Sequence, residues 1–139
     1  MIRIVSSTKG RTKKFSDKEW GYSNYEHYGV RDALRPINFV YKAEKDGKTV
    51  GIITARFTVG VLHIESLLVS HEDRHLGIGK LLMAKAESLA KKYRVHKIYL
   101  ETGKGWEAED FYKSLGFTQE GILKNHFARI DFIIYSKFL

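Results

Sequence analysis

The stretch "LLVSHEDRHLGIGK", residues 67–80, carries two overlapping patterns that would support different chemistry. "HEDRH" matches H-E-x-x-H, in which two imidazoles on one helix face hold a catalytic zinc and the carboxylate acts as a base. "HLGIGK" is typical of a glycine-rich loop whose backbone N–H groups hold phosphates. Both patterns use His75, so at most one of them describes the site.

The zinc interpretation depends on a helix through residues 71–75, because only a helix turns residues four apart towards one metal. His71 directly follows an apolar run of strand type, and Gly77 and Gly79 come directly after the pattern. A loop fits this context better than a helix, and no obvious third ligand follows. We therefore expect no metal, and we interpret His71 and His75 as solvated loop residues.

The phosphate interpretation agrees with the same context. A loop that leaves a strand and opens a helix presents unpaired N–H groups at the positive end of the helix dipole, and glycines let that backbone approach an anion. The ATP-binding pattern G-x-x-x-x-G-K-[ST] fails at Leu81, and the dinucleotide pattern G-x-G-x-x-G fails at Leu82. Spacing alone leaves two alternatives for Gly77 and Gly79, a pyrophosphate site or ordinary turn residues.

Three apolar runs before the loop predict a β meander: "NFVYKAEK" from Asn38, then "TVGIITARFTV" and "VLHIESLLV". Asp46 and Gly47 supply the positive φ angles of a tight hairpin turn between the first two runs. The third run follows Gly60 and is expected to pair antiparallel with the second, ending at Ser70. The loop therefore leaves the end of the third strand.

Five apolar residues after the loop recur at helical spacing and predict an amphipathic helix of about four turns: Leu81, Leu82, Ala86, Leu89 and Tyr93. "VHKIYLET" is then expected to be a strand, "WEAEDFYKSLG" a helix that ends at Gly116, and "FTQEGILK" and "FARIDFIIYSKFL" two closing strands. This order predicts an α/β (α+β) fold. It has a mixed, mostly antiparallel sheet of about 6–7 strands, with a parallel pair in the middle and helices on both faces.

The segment before the meander has weaker signals. Residues 2–6 ("IRIVS") alternate like a short strand, and residues 16–34 are expected to be helical in pieces, with Ser16 or Asp17 as the N-cap. This second stretch mixes aromatic and acidic side chains: Trp20, Tyr22, Tyr25 and Tyr28 among Asp17, Glu19, Glu26 and Asp32. Such a mixture suits a cationic amine through cation–π attraction and ion pairing, and it equally suits ordinary amphipathic packing.

Length and composition limit the classes of protein. The chain has 139 residues, the usual size of one domain, so we expect a single domain over residues 1–139. It has no cysteine, which excludes disulfides and thiolate nucleophiles and favours a cytoplasmic location. No run approaches the roughly 20 apolar residues of a membrane span. A net charge of +8 favours anionic partners such as nucleic acid, an acidic membrane face or a phosphorylated cofactor.

The glycine loop resembles a known pattern. "VSHEDRHLGIGKLLM" is similar to the acyl-CoA loop of the GNAT superfamily of N-acetyltransferases. In that loop a strand ending in valine is followed by Arg or Gln, two residues, Gly, one residue, and Gly or Ala. Val69, Arg74, Gly77 and Gly79 fill these places. The resemblance covers residues 38–139, and the predicted order of elements agrees with that fold.

A second signature of the same superfamily lies in "AEDFYKSLGF": alanine, two residues, an apolar residue, tyrosine, three residues and Gly-Phe. It is met by Ala108, Phe111, Tyr112, Gly116 and Phe117. Two motifs on successive strand–helix units are more specific than either alone. One position departs from the family, which often has a cofactor-contacting asparagine three residues before the alanine, because this chain has Gly105 there.

The resemblance implies an acetyl-CoA-dependent N-acetyltransferase that moves the acetyl group directly to a primary amine, without a covalent acyl-enzyme and without a metal. The backbone of Leu67, Leu68 and Val69 would pair with the pantetheine arm like an added strand. Seven consecutive residues would hold the pyrophosphate, with charge from the first and the last: Arg74, His75, Leu76, Gly77, Ile78, Gly79 and Lys80.

The resemblance also implies catalytic residues. Tyr112 would protonate the departing thiolate, since a phenol with a pKa near 10 suits that leaving group; spacing alone favours a core tyrosine. Glu65, about 13 Å before Val69 along the strand, would accept the amine's proton directly or through water, or it is a solvated strand carboxylate. His63 is a poorer substitute. His126 either lines the acceptor cleft or lies on the surface.

The motifs do not identify the acceptor amine, which belongs either to a small molecule or to a protein. The main alternative is a protein of the same fold that binds CoA without catalysing acetyl transfer. A basic module that contacts RNA ranks third, because the exposed aromatic-plus-basic signature of such modules is missing. No membrane partner is expected, and the sequence is compatible with a homodimer.

Overall fold

The computed structural model describes residues 1–29 and 35–139. The chain divides into two compact units, Met1–Arg35 and Pro36–Leu139, so the single domain expected from length stays a prediction. None of the helices in the described ranges combines the length and the apolar character that a membrane-spanning helix needs.

The first unit contains one continuous helix, α1 (Lys9–Tyr28). The Thr8 hydroxyl caps it by accepting the N–H of Arg11, and Gly29 ends it in the left-handed region at φ 73°. The predicted caps Ser16 and Asp17 are therefore wrong, because Thr8 meets the same need for a side-chain acceptor earlier in the chain. Of the predicted helical stretch, residues 30–34, including Asp32, lie outside the described residues.

Residues 2–6 do not form the predicted strand. An alternating pattern becomes a strand only when a neighbouring strand satisfies its backbone N–H and C=O groups. Residues 2–6 pair with none of the strands in the described chain, so the alternation at this position was not sufficient.

The second unit is a six-stranded sheet with two helices: β1 (Ile37–Lys45), β2 (Lys48–Thr58), β3 (Val61–Val69), α2 (Ile78–Lys92), β4 (Lys97–Gly103), α3 (Glu107–Ser114), β5 (Thr118–Leu123) and β6 (Phe132–Phe138). The strand order is β1-β2-β3-β4-β6-β5, and only β3 and β4 pair in parallel. The predicted meander, helix–strand order and mixed sheet are confirmed. Asp46 and Gly47 have the positive φ angles expected at the first turn, 51° and 75°.

One face of the sheet carries the core. Alternate residues of β2, β3, β4 and β6 pack there with α2 and α3 in one cluster that includes Leu62, Ile98 and Met83. Both helices therefore lie on the same face of the sheet. A helix on the other face, as predicted, would have to come from residues before β1, and it stays a prediction. Leu81 was expected on the buried side of α2 but is 71% exposed, because the buried stripe runs through Met83 and Ala90 instead.

Candidate active site

The parallel strands β3 and β4 separate soon after they begin. They pair only at Val61–Lys97, Leu62–Ile98 and His63–Tyr99. Both strands continue beyond this point, β3 to Val69 and β4 to Gly103. We call the point of separation, at His63 and Tyr99, the fork. Beyond the fork the β4-facing edge of β3 pairs with no strand of the described chain, so its backbone groups can pair with an extended ligand.

The loop that follows β3 excludes the helical zinc pattern. His71 begins a short 3₁₀ turn, Arg74 is extended, and His75 has a positive φ of 63°. The two imidazoles therefore do not lie one turn apart on a helix, which the zinc interpretation requires. His75 instead has its Nε2 atom 3.6 Å from Oε1 of Glu107, at the surface.

The same loop opens α2 with free backbone donors. Gly77 is the N-cap residue, at φ 85°, and its carbonyl accepts the first helical hydrogen bond, from Leu81. The N–H groups of residues 78–80 donate to no group in the described ranges. Arg74 and Lys80 are exposed beside them. Free N–H groups, the helix dipole and two cations at one place are the usual components of an anion site.

The two sequence motifs meet at this end of α2. A Cβ atom built on Gly79 would lie 3.4 Å from Cζ of Phe111, on α3, and 3.9 Å from Cγ2 of Val69, at the end of β3. The loop motif and the α3 motif thus lie side by side. Gly77 has no other atom within 4 Å of an added Cβ, so the loop is open on that side.

Tyr112 is a core residue with a free hydroxyl. The residue is 8% exposed, and its ring packs edge-on against Phe111 and Phe117, at centroid distances of 5.1 and 5.9 Å. The Tyr112 hydroxyl makes no hydrogen bond within the described chain. Every fully enclosed side-chain oxygen of the described chain has a partner, so the Tyr112 oxygen is not fully enclosed and keeps access to solvent. Burial raises the pKa of Tyr112 to about 12, which keeps the phenol protonated at neutral pH.

Glu65 occupies a β-bulge. Thr54 on β2 faces Ser66 and the next residue, Ala55, faces Ile64, so Glu65 is the extra residue between them. A bulge redirects the side chain that it inserts. The Glu65 carboxylate lies 3.0 Å from Nε of Arg56 and is about one-third exposed.

His63 lies at the fork between two residues of β4. Its Nε2 atom is 2.8 Å from Oε2 of Glu101, and its ring stacks on Tyr99 at 4.3 Å and 4°. These side chains project from the face opposite the core, because their neighbours Leu62, Ile98 and Leu100 face inward. Glu101 belongs to neither sequence motif and was not among the predicted site residues. The sequence signal for Glu101 is its place in "KIYLET", where polar residues alternate with apolar ones and so face away from the core.

An aromatic wall continues this face beyond Glu101. The Trp106 ring covers Gly103, where a Cβ atom would lie under 3 Å from it, and stands 5.4 Å from the Phe132 ring. His126 contacts Phe132 at 5.2 Å and Phe127 at 4.3 Å. His126 therefore belongs to the wall, at the turn between β5 and β6.

Glu109 anchors the loop that contains Gly105. The Gly105 N–H donates to Glu109 Oε2 at 2.5 Å, and the buried Tyr135 hydroxyl donates to Oε1 at 2.6 Å. These two hydrogen bonds, the one from Tyr135 first, lower the pKa of Glu109. The chain thus fixes this loop through Glu109, a residue that the sequence analysis missed because it lies inside a motif at an unspecified position.

Proteins of known structure share this fold. An acetyltransferase of Bacillus cereus superposes on 99% of this chain and 98% of its own, with 24% identity and a TM-score of 0.82. A Bacillus anthracis acetyltransferase solved in complex with acetyl coenzyme A is 26% identical, covers 76% of this chain and 64% of its own, and has a TM-score of 0.70. The architecture is therefore that of an acetyltransferase.

Sequence comparison gives the family. The chain matches the Acetyltransferase (GNAT) family over residues 6–117, and it belongs to that family. An uncharacterised N-acetyltransferase of Chlorobaculum tepidum is 30% identical over 91 residues, which are 65% of this chain and 56% of the relative. The chain thus spans little more than half of the length of this curated relative.

Proposed function

We propose that the protein transfers the acetyl group of acetyl-CoA directly to a primary amine. The fork carries this proposal, because it leaves the edge of β3 unpaired from His63 to Val69, and Val69 lies next to the start of α2. In this arrangement the pyrophosphate binds the N–H groups and cations of residues 74–80. The pantetheine arm adds to β3 along Leu67, Leu68 and Val69, and the Tyr112 phenol protonates the CoA thiolate.

The acceptor that fits the described site is a cationic amine. The carboxylates of Glu65 and Glu101 lie on the face opposite the core, and the rings of Trp106 and Phe132 continue that face. Carboxylates attract an ammonium group and aromatic faces stabilise it through cation–π contact. Whether the aromatic and acidic residues of α1 also contact the acceptor stays a prediction.

The test is acetyl-CoA with a panel of amines: spermidine, tyramine, lysine and a peptide with N-terminal alanine. Free thiol is measured over time, and mass spectrometry identifies the acetylated product. We expect amine-dependent thiol release with at least one acceptor and none with heat-denatured protein. Glu65 paired with Arg56, and Gly105 in place of the family asparagine, favour a CoA-binding protein as the second candidate. That candidate predicts a melting temperature raised by acetyl-CoA, with no thiol release from any acceptor.

A further inference from the structure

The imidazole of His63 is held in one orientation. Glu101 binds its Nε2 atom and Tyr99 stacks on its ring. An ionised carboxylate only accepts hydrogen bonds, so the proton of a neutral imidazole lies on Nε2 and the lone pair lies on Nδ1. The His63 side chain is 27% exposed, so a small ligand can reach it. This is the arrangement of a general base with a carboxylate that fixes its tautomer.

His63 also lies at the position that a bound thioester would approach. It is the last β3 residue paired with β4, and the unpaired edge of β3 runs from it to Val69. The anion site lies beyond Val69 at the start of α2. An acyl-CoA arm that adds to this edge, with its pyrophosphate at α2, therefore extends its acyl end towards the fork.

The other ionisable groups at the fork are engaged or neutral. On β2, Arg56 pairs with the bulged Glu65. On β4, burial first and the Glu101 carboxylate second raise the pKa of Tyr99, so its phenol stays neutral. Lys97, also on β4, pairs with Glu120 at 2.6 Å. His63 is left as the side chain at the fork with a ring nitrogen, Nδ1, that has no partner among the described residues.

We propose that His63, oriented by Glu101, accepts the proton of the acceptor amine; this rests on the proposed function. Nδ1 of His63 takes one proton from the ammonium group, which leaves a neutral amine. The amine lone pair forms the C–N bond at the thioester carbon, and the C–S bond breaks with its electron pair on sulfur. The sulfur receives a proton from Tyr112, and the second amine proton, lost as the intermediate collapses, reprotonates the Tyr112 phenolate. The first proton leaves His63 to solvent.

The experiment measures kcat/KM against pH from 5 to 9, with the best acceptor of the panel, for wild type, His63→Gln and Glu101→Gln. We expect His63→Gln to lose about 100-fold or more in kcat/KM at neutral pH, the usual contribution of a general base, and to lose the acidic limb of the profile. Glu101→Gln keeps a hydrogen-bonding side chain but removes the charge, so the rate should fall and the limb should move. A variant that combines His63→Gln and Glu101→Gln should have about the kcat of His63→Gln, since the two residues act as one unit in proton transfer.

His96→Gln is the matched control, because His96 is an exposed histidine outside the fork, and its profile should match that of wild type. Calorimetry should show acetyl-CoA affinity within about twofold of wild type in all variants, which separates this role from cofactor binding. A His63→Gln enzyme within about threefold of wild type, or one that keeps the acidic limb, overturns the proposal. If His63→Gln does not fold, an unmoved limb in Glu101→Gln overturns it. Turnover by none of the acceptors in wild type overturns the proposed function as well.

Discussion

At the scale of single residues, two buried tyrosines show how surroundings assign roles. Burial raises the pKa of both Tyr112 and Tyr135 to about 12. The Tyr135 hydroxyl donates to Glu109 and is committed to holding a loop. The Tyr112 hydroxyl has no partner within the described residues and keeps access to solvent. Only Tyr112 therefore has a proton to give to a group that enters the site.

The substitutions Tyr112→Phe and Tyr135→Phe should separate these roles. Tyr112→Phe keeps the ring in the core, so the melting temperature and acetyl-CoA affinity should hardly change, while kcat falls about 100-fold to 10,000-fold. Tyr135→Phe leaves Glu109 without a buried donor and should lower the free energy of unfolding by about 1–3 kcal/mol, with the rate nearly intact. Steady-state rates and thermal midpoints of both variants test this.

A Tyr112→Phe rate within about threefold of wild type would remove Tyr112 from the mechanism, because that change is only about 0.65 kcal/mol in the barrier. Thiolate departure would then rely on water or on the low basicity of the thiolate.

At the scale of elements, the site is made where three chain segments change conformation. The β3 bulge inserts Glu65, and the fork frees the edge of β3. The helix α2 begins directly after Gly77, and no described side chain caps its first N–H groups. Each change leaves backbone groups without a partner in the described chain. Such groups are costly in a core but useful beside a ligand that satisfies them.

Gly77→Asp should weaken CoA binding by about 100-fold or more, since a carboxylate beside the pyrophosphate repels it by a few kcal/mol even at moderate dielectric. The new carboxylate would also cap the free N–H groups of α2, which favours the helix and blocks the ligand. Calorimetric titration with CoA measures the loss. Gly116→Asp is the matched control: Gly116 has a φ of 88°, close to the 85° of Gly77, and ends α3 beside Lys137.

Both aspartates carry the same left-handed strain, of about 1–2 kcal/mol. Gly116→Asp should therefore lower the melting temperature without changing the dissociation constant for CoA. Unchanged CoA affinity in Gly77→Asp would contradict the loop assignment.

At the scale of the whole molecule, the relevant property is charge. The net charge of +8 attracts anions over distances longer than a contact, and the loop adds two exposed cations where we propose that the pyrophosphate binds. Salt shortens that reach, from a Debye length of about 10 Å at 0.1 M to about 3 Å at 1 M. The affinity for the cofactor should thus depend on the charge distribution of the whole molecule as well as on the residues of the site.

Raising sodium chloride from 0.05 to 0.5 M should weaken acetyl-CoA binding on the order of tenfold, through screening of this attraction. Acetyl-pantetheine, which carries the same thioester but no phosphate, is the control and should bind with little salt dependence. Titrations of both ligands at several salt concentrations test this. Equal salt dependence for the two ligands would show that the protein's charge does not act through the phosphates.

The sequence by itself determined the features that depend on near neighbours. The Asp46–Gly47 turn, the meander and the stop of α3 at Gly116 follow from local backbone preferences and short-range periodicity, and the structure confirms them. The last strand is shorter than predicted, because a 3₁₀ turn occupies Phe127–Arg129 and β6 begins at Phe132. The two motifs can also be recognised from residue spacing alone. Their contact in the structure, between Gly79 and Phe111, agrees with a single site.

Tertiary structure decided what depends on register and distant partners. His63 and Glu101 are 38 residues apart, and they meet only because β3 and β4 pair in parallel and then separate. The Glu65 bulge shifts every following β3 residue relative to its neighbours, which no alternation pattern reveals. The buried stripe of α2 was misplaced for the same reason: Leu81 meets the local spacing, but packing against the sheet buries Met83 and Ala90 instead.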